Sequence, residues 1–377
     1  MQWKVQLFEL NYDEDEVKAV QEVLRSGWLT MGEKTREFER RFAEVLGSGV
    51  GAVAVSSGTA ALHMAMLALG VGPGDEVIVS ALTFIADANA VRMVGAKPVL
   101  ADCVSYEDWN LDPEDVAGKV TSRTKAIIAV HYAGYPCAMA ELLEVCAEHD
   151  IALVEDAAHA VGAAYHGRMC GTLGRIGCFS FFSNKNLSVG EGGMFASTSE
   201  ETVRKGALLR SHGMSTLTLD RHEGRAITYD VLTPGLNYRI DEIRAALGLV
   251  QLERLRLSNQ RRRRISAHYS RLLFETPGLT IPFQRVENVD PSYHIYPVLL
   301  DREVDRTALI VKLRDKGVQT SIHYPAIQRF SAYVDENLGD TPVANDISER
   351  ELTLPLYPTM SEDDVDYVVD ALEGALG

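Results

Sequence analysis

Lys185 is the residue of this chain best placed for covalent chemistry, because it lies between an aromatic segment and a glycine-rich turn. In CFSFFSNKNLSVGEGGM (178–194), phenylalanines precede the lysine and glycines follow it. A lysine removed from water has a depressed pKa, and its neutral amine can attack an aldehyde. A lysine at a strand end is commonly just exposed to solvent, but these flanking residues favour a packed, reactive site.

A second polar group follows the apolar segment IALVEDAAHA (151–160). Glu155 and Asp156 end this predicted strand, and His159 comes three residues after Asp156. Parallel sheets bind ligands at the carboxyl ends of their strands. A carboxylate there could keep a pyridinium nitrogen protonated, which makes the ring an electron sink. Taken locally, an aspartate that caps a helix beside a core histidine explains the same residues.

Two further segments offer polar groups at predicted helix starts. SSGTAALHMAML (56–67) predicts a strand end, a turn of small residues and a helix, and Gly58 would let a phosphate approach the free N–H groups there. Asn237 lies just before the long helical pattern in TPGLNYRIDEIRAALGLVQL (233–252). Ordinary helix capping is the alternative explanation for both segments.

The order of these features favours one cofactor. A phosphate loop, an acid at a strand end and then a lysine on a later strand is the layout of fold-type I enzymes that use pyridoxal 5'-phosphate (PLP). The spacing agrees with this layout, with about 100 residues from Thr59 to Asp156 and 29 from Asp156 to Lys185.

Such residues need a sheet to position them, and residues 50–196 alternate short β-branched runs with helical stretches. The runs are AVAVSS (52–57), EVIVSA (76–81), KPVLADC (97–103), KAIIAVH (125–131), IALVEDA (151–157) and IGCFSFF (176–182). Several are apolar at consecutive positions, which is typical of parallel strands covered on both faces. The fold class is therefore predicted to be α/β, with a large domain built on a mostly parallel central sheet.

The flanking regions predict helices and a second domain. Two helices around the loop GWLTMGE precede the sheet, and a long helix begins near Asp241. Beyond it we expect a smaller C-terminal α+β domain, with strands near HIYPVLL (294–300) and GVQTSIHY (317–324) and a final helix over 361–376. The predicted division is a large PLP-binding domain, 1–250, and a small domain, 251–377.

Composition excludes several classes of function. Acidic residues outnumber basic residues by 53 to 37, for a net charge of -16, which argues against nucleic acid as a partner. The five cysteines form no C-x-x-C pair, so neither a disulfide framework nor a metal site is expected. No signal peptide or membrane span is recognised, and a cytoplasmic location is expected. A nicotinamide dehydrogenase is disfavoured, because the glycine cluster GVGPGDE (70–76) precedes a strand.

Nearly end to end, the chain resembles the DegT/StrS family of sugar aminotransferases, which have the fold-type I, aspartate aminotransferase-like architecture. The segments that carry the resemblance are GWLTMGEKTREFERRFAEVLG, SSGTAALHMAML, TFIADANAV, HYAGYPC, VEDAAHAVGA, FSFFSNKNLSVGEGGM, LRSHG, GLNYRIDEIRAALGLVQL and LPLYPTMSEDDV. Two departures stand out: Asp87 replaces a small hydroxyl residue of the family, and SFFSNKN is an uncommon variant around the lysine. Both are expected to affect substrate fit more than the core chemistry.

The resemblance implies roles for individual residues. Lys185 would carry PLP as an internal aldimine and move protons during transamination, Asp156 would pair with the pyridine nitrogen, and His159 would lie near the phenolic oxygen. The remaining implied cofactor contacts are Ser57, Gly58, Thr59, Ala60, Phe84, Ser180 and Asn237. Phe84 would stack on the ring, and Asn237 would reach the phosphate of the neighbouring subunit, so a homodimer with shared active sites is expected.

The resemblance also implies a ping-pong reaction that moves an amino group from L-glutamate to a keto-sugar, preferentially a nucleotide-linked keto-hexose. Candidate substrate contacts are Trp28, Met31, His212, Arg239, His323 and Tyr324, each of which could instead be a packing residue. A keto-cyclitol (scyllo-inosose-type) aminotransferase of aminoglycoside synthesis stays open as an alternative, as does a regulatory member that binds PLP or a sugar without turnover. A PLP-dependent sugar dehydratase is disfavoured, because such relatives carry histidine in place of Lys185.

Overall fold

A computed structural model of the chain describes residues 3–216, 219, 222, 224, 227–284, 288–334 and 336–377. The strands of its first half are β1 Gly51–Val55, β2 Glu76–Ser80, β3 Lys97–Ala101, β4 Thr124–Val130, β5 Ala152–Asp156, β6 Ala164–Tyr165, β7 Arg168–Met169, β8 Ile176–Ser180 and β9 Gly193–Ser197. Seven of these form one sheet in the order β1-β9-β8-β5-β4-β2-β3.

The central sheet is mostly parallel, as predicted. Strands β3, β2, β4, β5 and β8 run parallel to their neighbours, whereas β9 runs antiparallel to β8 and β1. The apolar runs are continuous because both faces are covered: Val77 and Val79 of β2 join one hydrophobic core, and Ile78 joins the core on the other face. Strand β9 was not among the predicted runs.

Helices cover both faces of the sheet. They are α1 Glu14–Ser26, α2 Glu33–Leu46, α3 Gly58–Leu69, α4 Ala86–Met93, α5 Pro113–Lys119, α6 Met139–His149, α7 Glu200–Arg210 and α8 Glu242–Leu273. The first begins at a capping box of Asp13 and Glu16 and ends at Gly27, whose φ of 71° suits glycine. The predicted helix pair around GWLTMGE is thereby confirmed.

The C-terminal part contains a second sheet and a third core. Its strands are β10 Leu279–Thr280, β11 Val289–Asp290, β12 Tyr296–Leu300 and β13 Glu351–Leu354, and its helices are α9 Arg306–Asp315, α10 Pro342–Arg350 and α11 Glu362–Leu376. Strands β10, β12 and β13 form a three-stranded sheet, while β11 pairs with β6. No helix in the described part of the chain has the length and apolar character needed to cross a membrane.

The strand predicted over GVQTSIHY (317–324) is wrong, because this segment makes only isolated bridges, one between Val318 and Val5 and one between Ser321 and Thr353. Side chains take the place of a regular ladder. The amide oxygen of Gln319 accepts from the backbone of the N-terminal segment, and the carboxylate of Glu351 accepts from the backbone N–H of His323 at 2.7 Å.

Helix α8 passes through the predicted domain boundary without a break. Ala245 and Leu252, in its first half, belong to a core of the central sheet, whereas Tyr269 and Leu273 belong to the C-terminal core. Val5, near the start of the chain, packs in that C-terminal core as well. The division between residues 250 and 251 therefore stays a prediction.

Candidate active site

A cavity of about 400 Å³ opens where β4, β5 and β8 end, at the carboxyl edge of the parallel strands. The predicted site residues that line it are Ser57, Gly58, Thr59, Phe84, Asp156, His159, Ser180, Lys185, His323 and Tyr324. The last two come from the C-terminal part of the chain and close the cavity opposite the sheet. Residues separated by more than 260 positions thus meet at one site.

Lys185 extends into this cavity from the turn that follows β8. The backbone N–H of Lys185 donates to the carbonyl of Phe182 at 2.9 Å, which holds the turn closed. Burial lowers the pKa of the lysine to about 8, and nearby Asp156 opposes that shift. An appreciable share of the amine is therefore neutral and nucleophilic near neutral pH.

Asp156 ends β5 and is buried at the floor of the cavity. One of its oxygens, Oδ1, accepts from the backbone N–H of Ala158 at 2.8 Å. Burial raises the pKa of this carboxyl, while the Ala158 N–H and the Lys185 amine act in the opposite direction. The carboxyl group of Asp156 and the amine of Lys185 are thus close enough to influence each other's pKa.

The start of α3 forms a turn with free N–H groups, packed against the end of β8. The hydroxyl of Ser57 accepts from the N–H of Ala60 at 3.1 Å, and no described residue accepts from the N–H groups of Gly58 and Thr59. Glycine is needed at position 58, because a Cβ there would lie 2.9 Å from the Cβ of Ser180. Ser57 is therefore both a helix cap and part of a turn that leaves N–H groups for a ligand.

Neutral side chains from both parts of the chain surround the amine. His159 Nε2 and the hydroxyl of Tyr324 are 2.9 Å apart, and His323 Nδ1 lies 2.8 Å from the hydroxyl of Thr353. Burial lowers the pKa of His159 well below its usual value and that of His323 to about 3, with the charge of Lys185 adding to both effects. Both imidazoles are therefore uncharged.

His294 was not predicted as a site residue. Hydrogen bonds between asparagine side chains orient this histidine toward Lys185. Asn259 donates to the carbonyl of Val161 at 2.9 Å, and Asn186 donates to the amide oxygen of Asn259 at 2.8 Å. The amide oxygen of Asn186 must then accept from His294 Nδ1, 2.9 Å away. The lone pair of His294 Nε2 consequently faces Lys185 Nζ at 3.5 Å. The sequence signal is faint: Asn186 adjoins the lysine, and His294 is the first residue of the predicted strand HIYPVLL (294–300).

Several predicted residues lie away from this cavity. Met31 is buried elsewhere, Trp28 lines a separate cavity beside His222, and both His212 and Asn237 are exposed. Arg239 pairs through its backbone with Val55 of β1. Ala60 contributes through its N–H group to the Ser57 cap.

Another buried cluster consists of His131, Glu155 and Cys170, whose donor atoms lie within 4.8 Å of one another. Its hydrogen bonds are already used within the protein. Both oxygens of Glu155 accept backbone N–H groups, and His131 Nδ1 accepts from the N–H of Cys137 at 3.1 Å. The cluster therefore anchors loops, and we interpret it as structural.

The cavity offers a matching group for each part of PLP. The free N–H groups at the start of α3 and the hydroxyl of Ser180 suit the phosphate, the buried carboxylate of Asp156 suits the ring nitrogen, and the desolvated amine of Lys185 suits the aldehyde. The ring of Phe84 is 55% exposed at the cavity wall, 5.7 Å from the ring of Tyr324. An aromatic ring left exposed beside a cavity has a face free for stacking.

Comparisons with known proteins agree with this geometry. The model of the DegT/DnrJ/EryC1/StrS aminotransferase family matches residues 11–373. The spore coat polysaccharide biosynthesis protein SpsC of Bacillus subtilis (strain 168) is 40% identical over 367 residues, covering 95% of this chain and 93% of SpsC.

Solved structures are similar over the whole chain. The aminotransferase TlmJ from Streptoalloteichus hindustanus superimposes with a TM-score of 0.91 at 36% identity, covering 100% of this chain and 99% of TlmJ. The putative sugar aminotransferase Spr1654 from Streptococcus pneumoniae, in its PMP form, superimposes with a TM-score of 0.91 at 30% identity, covering 100% and 98%.

Proposed function

Because the chain belongs to the DegT/DnrJ/EryC1/StrS aminotransferase family and is a PLP-dependent aminotransferase of fold-type I, we propose that it moves an amino group from L-glutamate to a nucleotide-linked keto-hexose. The observation that carries the chemical part is the desolvated amine of Lys185, whose pKa responds to Asp156 and which lies 3.5 Å from His294 Nε2. The sugar part is supported by similarity to proteins described as a polysaccharide biosynthesis protein and a putative sugar aminotransferase.

Different residues in the cavity would hold different parts of the cofactor. When bound, PLP supplies an aldehyde carbon that condenses with amines and a ring that withdraws electrons from the reacting carbon. Lys185 would hold the aldehyde, and Asp156 would keep the ring nitrogen protonated. The turn at Ser57 and the hydroxyl of Ser180 would hold the phosphate.

Lys185 also handles the proton of the reaction. When free, its neutral amine would take the proton from the carbon that bears the donor nitrogen and return it to the carbon on the other side of that nitrogen. His294 Nε2 lies 3.5 Å from Lys185 Nζ, so a hydrogen bond donated by the amine to this imidazole would help to hold the amine in position. The uncharged state of His294 suits this role, because an imidazolium would repel an ammonium.

The charges in the cavity favour a site completed by a second subunit. Among the lining residues that the structure describes, Lys185 is the sole cation, and no arginine is present to bind the carboxylate of glutamate or the phosphates of a nucleotide. Asn237 and Arg239 lie outside this cavity, on a segment that includes exposed residues. We therefore propose a homodimer in which each chain lends Asn237 and Arg239 to the site of its partner.

Subunit mixing tests the shared site. Lys185→Ala and Asn237→Ala chains, each weakly active alone, should regain roughly a quarter of wild-type activity when they are unfolded and refolded together in equal amounts. Half of all dimers are then mixed, and each mixed dimer carries one intact site and one doubly defective site. If both residues acted within one chain, mixing would restore nothing.

Acceptor screening tests the sugar assignment. The glutamate-loaded enzyme should regain its original cofactor absorbance with nucleotide-linked keto-hexoses, and 2-oxoglutarate should appear in the first half-reaction. Regain with keto-cyclitols instead would select the cyclitol alternative. Binding of PLP with no 2-oxoglutarate release would favour the regulatory alternative and contradict the proposal.

A further inference from the structure

We propose that Asp87 and Asp156 form a carboxyl pair that holds a single proton, carried by Asp87, and that Asp87 thereby sets how much negative charge Asp156 presents to the cofactor ring. The proposal rests on the function proposed above for Asp156. Asp87 acts through Asp156 and is in this sense a positioning residue.

The geometry of Asp87 leaves one of its oxygens without a hydrogen-bond donor. The side chain lies in the first turn of α4 and is completely buried. Its Oδ2 accepts from the hydroxyl of Thr83 at 2.5 Å, whereas its Oδ1 has no partner among the described residues. The carboxyl groups of Asp87 and Asp156 are within hydrogen-bonding range of each other. A proton on Asp87 would turn this unsatisfied contact into a hydrogen bond.

The surrounding groups cannot support two buried negative charges. The titratable groups that face the pair are Lys185, His131, Cys178 and Tyr324. Of these, His131 is uncharged, because its Nδ1 accepts from the N–H of Cys137. A charged Cys170 would raise the pKa of His131, but burial raises the pKa of that thiol and keeps it neutral. Burial raises the pKa of the Cys178 thiol and of the Tyr324 hydroxyl well above their usual values, so both stay protonated. Lys185 is left as the single cation for two carboxyl groups.

The proton belongs on Asp87 because the two carboxyl groups have unequal partners. Asp156 is stabilised as an anion by the N–H of Ala158 and by the charge of Lys185. Asp87 has the hydroxyl of Thr83 alone, and burial together with the charge of Asp156 raises its pKa well above the usual value. Two carboxyl groups that share a buried site commonly separate into one acid and one carboxylate in this way.

The hydrogen bond from Asp87 should weaken the charge of Asp156, and the bound cofactor reports that charge through its visible absorbance. The experiment titrates the absorbance of the holoenzyme with pH for wild type, Asp87→Asn and Asp87→Ala. The amide of Asp87→Asn keeps a hydrogen-bond donor and carries no charge. The pH midpoint of its absorbance change should therefore equal that of wild type. The second variant loses the donor, so its midpoint should rise by about one pH unit, the size expected for a lost hydrogen bond to a charged group.

Other patterns overturn the proposal. If Asp87 were ionised, both variants would remove a negative charge, and both midpoints would fall together. If neither midpoint moved, Asp87 would have no influence on Asp156.

Infrared spectroscopy tests the proton itself and needs no turnover. The difference spectrum between wild type and Asp87→Asn at neutral pH should contain the carbonyl stretch of a protonated carboxylic acid in wild type. Loss of a carboxylate band instead would contradict the proposal even if the variant stayed active. This measurement needs no Asp87→Ala protein, so it decides the question if that variant fails to fold. An inactive enzyme with the protonated band would refute the proposed function and leave the carboxyl pair standing.

Discussion

Glu155 and Asp156 are neighbours on β5, and both are buried, yet their surroundings differ completely. The oxygens of Glu155 accept from the backbone N–H groups of Gly171, Leu173 and Gly174 at 2.6–2.7 Å, and His131 Nε2 lies 3.0 Å away. Within the described part of the chain, the carboxylate of Asp156 accepts from a single backbone N–H, that of Ala158. Burial alone therefore does not mark a functional carboxylate. What distinguishes Asp156 from Glu155 is that its carboxylate can still accept hydrogen bonds from a ligand in the cavity.

Of the two variants on β5, Asp156→Asn is expected to have the larger effect on activity. An amide cannot hold the ring nitrogen in its protonated form, so kcat/KM should fall about 10²–10³-fold, the size of a lost electrostatic contact to the reacting system. The free energy of unfolding should stay equal or increase, because a costly buried charge is removed. Steady-state kinetics with glutamate and chemical denaturation measure the two quantities. A loss of activity below about threefold would show that Asp156 is as structural as its neighbour.

Glu155→Gln should lower the stability of the protein and leave its activity nearly unchanged, the opposite of Asp156→Asn. The amide group of glutamine cannot accept from all the backbone N–H groups that meet Glu155, so at least one buried donor loses its partner. The free energy of unfolding should fall by about 2–3 kcal/mol, while kcat/KM of the folded protein changes less than about twofold. Denaturant titration beside kinetics tests this, and an unchanged stability would remove the contrast between the two residues.

A smaller effect concerns the pH dependence of cofactor binding. Since the pKa of Lys185 is lowered to about 8, its amine is mostly protonated at pH 7 and mostly neutral above pH 8. The rate at which the cofactor-free enzyme recombines with PLP should rise about tenfold above pH 7 and then level off. Stopped-flow absorbance measures this rate.

The pH profile of PLP recombination should differ between the two carboxylate variants. Asp156→Asn removes the negative charge that favours the ammonium form, so the break in the profile should move to lower pH. Glu155→Gln should leave the break in place. A shift of equal size in both variants would mean that the lysine responds to the net charge of β5 and not to Asp156.

Much of the fold and half of the site followed from local patterns. The parallel strands appear as apolar runs because both faces of the sheet are covered, and the carboxyl edge follows from that arrangement. Lys185, Asp156 and the turn at Ser57 each lie directly beyond such a run, so their meeting at one edge could be predicted from their positions along the chain.

The other half of the site depends on contacts that no local pattern encodes. His294 is oriented by hydrogen bonds that run through Asn186 and Asn259. These three residues span more than 100 positions, so the hydrogen bonds form only when distant parts of the protein have packed together. Asp87 was noticed as a departure from the family, and its place beside Asp156 required the structure. The segment 317–324 resembles a strand in sequence, but its hydrogen bonds to the amide of its own Gln319 and to the carboxylate of distant Glu351 appear only in the folded chain.

Chemical trapping tests most directly whether Lys185 carries the cofactor. Borohydride reduction of the holoenzyme fixes PLP to the amine that holds it, and mass mapping of the digested protein then identifies the labelled peptide. The label is expected on the peptide that contains Lys185, and it should be absent from Lys185→Ala protein. A label on a different lysine, or none in wild type, would contradict the account.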